Sequence, residues 1–152
     1  MEMKYLIEKQ SPLTSLAEYR QLCQTFQVPA PEFFNFGLDV VDEWAKKDPQ
    51  RPAMRWVSAA GEDVTVTFAE MAGRSNQVAN GLLELGLRPG DQVLVDLPNL
   101  IAWWEVMIGL TKAGIIAIPG TTLLTETDIA YRVKAAEIDA VVTDPAGAEK
   151  VD

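Results

Sequence analysis

The chain has 152 residues, 48% hydrophobic and 23% charged, a composition suited to one packed core and unlike that of a disordered chain. Its 22 acids against 13 bases give a net charge of −9, which lacks the basic footprint that binds a phosphate backbone, so nucleic acid is not expected as a partner. With no histidine and one cysteine, Cys23, the chain excludes histidine-activated nucleophiles, histidine bases, internal disulfides and an ordinary zinc site.

Met1 to Gln10 mixes Glu2, Lys4, Glu8 and Lys9 with apolar residues and contains no apolar run of secretory-signal length. No stretch of about 18 apolar residues occurs, so no membrane span is expected, and the single thiol fits a reducing cytoplasm. Ser11 as cap and Pro12 at the first helical position predict a helix start. Leu13, Leu16, Tyr19, Leu22, Cys23 and Phe26 then recur at helical spacing. Val28-Pro29-Ala30-Pro31 interrupts the run, so residues 1–34 read as a helical arm packed on a second region, 35–152. A short helix is predicted from Leu38 to Lys47, with Val40, Val41 and Trp44 inward and Asp48-Pro49 at its end.

Residues 53–57 and 63–67 alternate around Ala60-Gly61-Glu62 and predict an antiparallel hairpin. Thr67 and Glu70 have capping-box spacing, and Met71, Ser75, Val78, Leu82 and Leu85 form one stripe of the helix that follows. Gly86 is its expected stop, with Leu87 folding back. From Arg88 onward, strands alternate with helices. Strands are predicted over Gln92–Leu97, Ile115–Ile118 and Asp139–Thr143, and helices over Leu100–Lys112 and from Thr125 to Ala136. Three strands joined by two helices of about a dozen residues predict parallel βαβ units. Ala146 to Asp152 begins another helix, and a sheet of this extent is expected to leave an apolar edge and one thinly covered face.

The loop Pro119-Gly120-Thr121-Thr122 follows a predicted strand and precedes a helix, where open parallel sheets bind ligands. Free backbone N–H groups at a helix start suit an anion, and two hydroxyls add donors; as an isolated feature, a capped turn explains it better. No Gly-x-x-x-x-Gly-Lys-Ser/Thr and no Gly-x-Gly-x-x-Gly occurs. Arg132 is placed to reach a phosphate, but Asp128 lies four residues earlier on the same face, and an exposed ion pair is the better reading of that spacing. Trp103 and Trp104 point about 100° apart, so core packing of one outweighs a shared stacking pocket. Asp91, Asp96, Asp139 and Asp144 fall in turns or at strand ends and read as solvated carboxylates, with no acid/base pair.

Val66-Thr67-Phe68-Ala69-Glu70-Met71 resembles the first core motif of adenylate-forming enzymes, and Leu110-Thr111-Lys112-Ala113-Gly114 through Pro119-Gly120 resembles the second, in the expected order. Three further stretches resemble the medium-chain acyl-CoA synthetases within that superfamily: Phe36-Gly37-Leu38-Asp39-Val40-Val41-Asp42-Glu43-Trp44; Trp103-Trp104-Glu105; and Pro119-Gly120-Thr121-Thr122 with Asp128-Ile129-Ala130-Tyr131-Arg132. The resemblance runs from about Asn35 to Asp152. It implies an α/β fold: the amino-terminal part of the synthetase large domain, with parallel βαβ units after a β-hairpin and helical arm.

The activity implied is that of a ligase joining a fatty acid or other carboxylate to CoA with ATP and Mg2+, by way of an acyl-adenylate. The resemblance places Gly120, Thr121 and Arg132 on the CoA side; at Leu123, where some members carry glutamine, a polar CoA contact is not supplied. The Ser-Gly-Thr-Thr-Gly-x-Pro-Lys phosphate loop of such enzymes does not occur in these residues, nor do the later motifs and the catalytic lysine. The expectation is therefore an amino-terminal fragment, inactive alone, with no catalytic residue and no metal ligand of its own and no tight cofactor binding. The alternatives are an interaction module built on the same scaffold, or complementation by a separate chain.

Overall fold

A computed structural model of the chain describes residues 15–26 and 31–151, which fall into two units, 1–34 and 35–152. In the first, helix α1 (Leu16–Thr25) opens at Ser15: its Oγ accepts the Glu18 N–H at 3.2 Å while the Glu18 carboxylate accepts the Ser15 N–H at 3.1 Å. This is a reciprocal capping box that pairs two N–H groups a helix start otherwise leaves open. The expected start at Ser11 and Pro12 and the break at Val28-Pro29-Ala30 lie outside the described residues.

The second unit opens with a π-helical segment, Phe36–Asp42, that runs into α2 (Glu43–Lys47). The sequence predicts one α-helix here; its first part instead winds wider, and Asn35 caps its start. Asn35 Oδ1 accepts the N–H groups of Gly37 and Leu38 at 3.0 and 3.3 Å, and its own N–H donates to Asp39 Oδ2 at 2.7 Å. Its amide also donates to the Thr111 carbonyl at 2.7 Å, tying this turn to a distant helix. Val41 is buried, with Val40 and Trp44 half-buried, as the sequence spacing indicates. The Arg51 guanidinium lies 4.1 Å from the Trp44 ring and Phe68 stacks on it at 5.9 Å.

Strands β1 (Pro52–Val57) and β2 (Asp63–Thr67) pair antiparallel, with Arg55 opposite Thr65 and Trp56 opposite Val64. Helix α3 (Phe68–Glu84) follows directly, capped by Thr67 and Glu70 in the predicted box. Met71, Ser75 and Leu82 are buried as expected, whereas Leu85 is 83% exposed. The helix ends at Glu84, and Leu87 takes the inward place. Its N–H bonds the Leu82 carbonyl at 3.2 Å and that of Gly86 bonds Leu83 at 3.0 Å, a double closure that requires the left-handed φ of +101° at Gly86.

Strand β3 (Gln92–Asp96), helix α4 (Ile101–Ala113), strand β4 (Ile116–Pro119), helix α5 (Glu126–Ala135), strand β5 (Ala140–Thr143) and the single turn α6 (Pro145–Ala148) complete the unit. The sheet order is β4-β3-β5, parallel throughout, with Val93 opposite Ala117 on one side and Ala140 on the other. Being central, β3 is covered on both faces, and Val93, Leu94 and Val95 have no exposed surface. Val93 and Val95 pack with Ala79, Leu82, Val106 and Leu110 of α3 and α4. Leu94 faces the other way, onto Leu124 and Ile129 of the α5 side. Each such aliphatic side chain contributes about 1.5–3 kcal/mol by leaving water. Helices α3 and α4 approach closely because position 109 is glycine: a Cβ there would meet Val78 Cγ1 at 2.7 Å and the Ser75 carbonyl at 3.0 Å. Beside α5, Ile129, Val133, Ile138, Val141 and Val151 line an open groove of about 310 Å³, so this face is the thinly covered one. Among the described residues, no helix is long and apolar enough to cross a membrane.

Candidate functional site at the carboxyl end of the parallel sheet

Strand alternation and sheet order bring four segments to one place. Leaving β4, the chain turns at Gly120, whose N–H bonds the Val95 carbonyl at 2.8 Å. A Cβ at Gly120 would lie 3.2 Å from Leu124 Cδ1 and 3.3 Å from Leu94 Cδ1, so the loop sits against the α5 face of β3. Asp96 ends β3 opposite Thr143 of β5, and period-two alternation puts both on the face that holds Leu94 and Val141. Beyond Thr143, α6 folds back so closely that a Cβ on Gly147 would overlap the Thr143 hydroxyl. Lys150 Nζ donates to the Thr122 carbonyl at 2.7 Å, joining the end of the described chain to the Gly120 loop.

The loop's amides are mostly engaged within the fold. Leu124 N–H bonds the Thr121 carbonyl at 2.9 Å, Leu123 N–H reaches Thr121 Oγ1 at 3.4 Å, and Thr125 N–H bonds Asp128 Oδ2 at 3.0 Å. Only the N–H groups of Thr121 and Thr122 are without a partner among the described residues of this loop. The start of α5 is already closed by the Thr125–Asp128 capping box, with Glu126 and Asp128 compensating the positive end of the helix. Its capacity for an external anion is correspondingly small.

Asp128 does not form the ion pair that its spacing from Arg132 suggests. Its Oδ2 is held by the Thr125 N–H and hydroxyl at 3.0 and 2.8 Å, and Arg132 has no carboxylate within 4 Å among the described residues. The Thr125 backbone bond, then the Thr125 hydroxyl, holds the Asp128 carboxyl below its usual value, with a smaller pull from the Arg132 charge. Capping geometry therefore outcompetes the ion pair, and the exposed guanidinium is left for another acceptor. Thr121 and Leu123 are also exposed, the latter by 85%.

Trp103 is half-buried against the α3–α4 core while Trp104 is exposed, their rings edge to face at 4.9 Å. Of the aspartates, Asp91 accepts the Arg88 N–H at 2.7 Å, Asp139 the Gln92 N–H at 2.8 Å and Asp144 the Gly147 N–H at 2.8 Å, so these three act as turn acceptors. Asp96 departs furthest from the sequence reading: it is 1% exposed, and neither carboxylate oxygen has a hydrogen-bond partner. The signal for this was its place in the run Val93-Leu94-Val95-Asp96-Leu97, the central strand of a parallel sheet, where even a terminal position is enclosed.

Lys112 was also missed. Its side chain is 3% exposed, and its ammonium donates to Asp42, to Asn76 Oδ1 at 2.7 Å and to the Ala72 carbonyl at 3.3 Å. Gly37 leaves room for the Lys112 stem, which a Cβ would overlap. The Phe-Gly-Leu-Asp stretch and the Lys-Ala-Gly stretch are thus two halves of one packing arrangement. Among the described residues, no group of three or more side chains has a metal-binding arrangement.

The sheet, its preceding hairpin and this loop reproduce the amino-terminal part of adenylate-forming enzymes. The N-terminal domain of FACL13 from Mycobacterium tuberculosis matches with a TM-score of 0.70 at 26% identity, over 79% of this chain and 29% of that one. An acyl-CoA synthetase from Brucella canis matches with a TM-score of 0.79 over 88% of this chain and 26% of its own, at 23% identity, a likeness of fold. In sequence, the chain is 39% identical over 131 residues to Acyl-coenzyme A synthetase ACSM5, mitochondrial, of Rattus norvegicus, covering 82% of this chain and 22% of that protein. Residues 41–152 match the AMP-binding enzyme family, and the chain belongs to it. It spans about a fifth of the length of that rat relative.

Proposed function

We propose that the chain is the amino-terminal portion of an ATP-dependent acyl-CoA synthetase, which converts a fatty acid, ATP and CoA to acyl-CoA, AMP and pyrophosphate, and that residues 1–152 do not adenylate alone. The observation that carries this is the alignment of 82% of the chain with 22% of a protein named an acyl-CoA synthetase. ATP with Mg2+ would supply the adenylyl group in that chemistry, with pyrophosphate leaving, and the charge that develops requires a preorganised positive field. The −9 chain contributes scaffold to such a site rather than that field.

On this reading Gly120, Thr121 and Arg132 face CoA. The unengaged Thr121 and Thr122 amides and the guanidinium left without a carboxylate support that role. In the synthetase translated through the frame beyond Asp152, Arg132→Ala is expected to raise KM for CoA about 5-fold, the loss of one charge-assisted hydrogen bond, and to leave KM for ATP unchanged. An unchanged KM for CoA removes Arg132 from the site. The single thiol, Cys23, is free and exposed and suits a reducing compartment. The cytoplasm is the compartment this reading assigns, and fractionation of the source cells tests it against the mitochondrial location in the rat relative's name. The overall reading is tested by pyrophosphate exchange with octanoate and ATP. Residues 1–152 are expected to give none, and the longer product to give turnover; exchange by the short chain overturns the assignment of inactivity.

A further inference from the structure

We propose that Lys150 is a positioning residue for CoA, which acts by holding the Thr122 carbonyl and so fixing the shape of the Gly120 loop. This rests on the synthetase reading above, in which that loop faces CoA. The two ends of the loop are set by the sheet: the Gly120 N–H bonds the Val95 carbonyl at 2.8 Å, and Leu124 is buried with Leu94. Between them Thr121, Thr122 and Leu123 are all exposed, and the bonds they share with one another and with Leu124 are local to the turn. Among the described residues, one hydrogen bond reaches these three from elsewhere in the chain. It is the 2.7 Å bond from Lys150 Nζ, 28 residues distant.

A tether positions only if its own base is fixed, and the base of Lys150 is. Its N–H bonds the Gly147 carbonyl at 3.0 Å, and Gly147 lies so tightly on Thr143 that a Cβ there would overlap the hydroxyl. The Thr143 hydroxyl in turn bonds the Asp96 carbonyl at 2.9 Å, so α6 is registered to β3, the strand that also holds Gly120. Fixing a lysine side chain costs rotamer freedom, which burial of its stem offsets. Lys150 is half-buried and lines the apolar groove with Ile129 and Val151. Its ammonium does not serve an acid: Glu126 lines the same groove, yet no carboxylate lies within 4 Å of Lys150 among the described residues. A charged donor holds a carbonyl more firmly than a neutral one. The residue so restrained, Thr122, carries one of the two unengaged amides of the loop. A loop already held in its binding shape spares the ligand the cost of ordering it.

The test uses Lys150→Met, which keeps the stem and loses the donor, and Lys150→Arg, which restores a charged donor. In residues 1–152 without CoA, amide hydrogen exchange is followed by NMR at Leu124, whose bond to the Thr121 carbonyl closes the turn. Exchange there is expected to run about 5-fold faster in Lys150→Met, the loss of one hydrogen bond, and within about 2-fold of wild type in Lys150→Arg. Leu110, buried in α4, should exchange alike in all three. Equal exchange at Leu124 in wild type and Lys150→Met, or an equal acceleration at Leu110, overturns the inference. In the longer synthetase, Lys150→Met is expected to raise KM for CoA about 3-fold, with KM for ATP and the rate of pyrophosphate exchange unchanged, and Lys150→Arg to restore it. A loosened loop with an unchanged KM for CoA, or a rise in KM for ATP by the same factor, overturns the positioning role and leaves the synthetase reading standing. A longer product that folds but forms no acyl-CoA defeats the synthetase reading and the role for CoA with it, while exchange at Leu124 still reports whether Lys150 holds the loop.

Discussion

Lys112 is where the two motif stretches meet, and its side chain is the most enclosed of the cationic ones in the four ion pairs among the described residues. Three acceptors from the π-helical segment and α3 surround it, so its removal strands Asp42 in a partly buried position. Lys112→Met keeps the stem and deletes the charge, and is expected to cost about 3 kcal/mol in urea unfolding, the magnitude for breaking one side of a buried pair. Coupled removal of Asp42 in the double variant Lys112→Met with Asp42→Leu should recover part of that loss, since the two act as one unit. A single-variant loss under about 1 kcal/mol would mean that solvent screens the pair as it does on a surface.

The capping boxes at Thr67–Glu70 and Thr125–Asp128 were legible in the sequence because a cap is a local pattern, four residues with two reciprocal bonds. Thr67→Ala is expected to cost about 1 kcal/mol. The same bonds make the elements acid-sensitive. The Thr67 N–H and then its hydroxyl hold the Glu70 carboxyl below its ordinary 4.5, with Arg74 adding a smaller pull, and Thr125 does likewise to Asp128 below 3.8. A carboxyl depressed in the folded state stabilises fully above its unfolded value, and that contribution is lost as pH falls through the lower folded value. Urea midpoints should therefore fall from about pH 6 to about pH 3, and fall somewhat less in Thr67→Ala, which keeps the backbone N–H bond to Glu70 and lacks only the hydroxyl bond. An equal fall in both proteins would mean that the Thr67 hydroxyl contributes nothing to the acid sensitivity. Strand and helix order was equally readable from Gln92 to Thr143, where apolar runs alternate with capped helices. Leu85 misled because the 3.6-residue period continues on paper past the point where Gly86 ends the helix. Asp96 and Lys112 misled because burial at a strand end, or inside a three-way contact, depends on partners 40 to 70 residues distant that spacing does not register.

At the scale of the molecule, both faces of the parallel sheet carry helices, but unequally: two pack on the Val93–Val95 face, and α5 alone flanks the open groove beside β5. Among the described residues, the carboxyl end carries a loop with two unengaged amides and one unpaired carboxylate, and the last turn of the next helix carries an exposed arginine. The proposed function assigns these groups to binding and positioning. On that proposal, the chain contributes scaffold to a catalyst rather than the catalyst itself. The most direct measurement is octanoyl-CoA formation from octanoate, ATP, Mg2+ and CoA, followed by mass spectrometry, for residues 1–152 and for the product of the frame continued beyond Asp152. The account predicts thioester from the longer protein and none from the shorter; thioester from residues 1–152 alone, or none from a folded longer product, would contradict it.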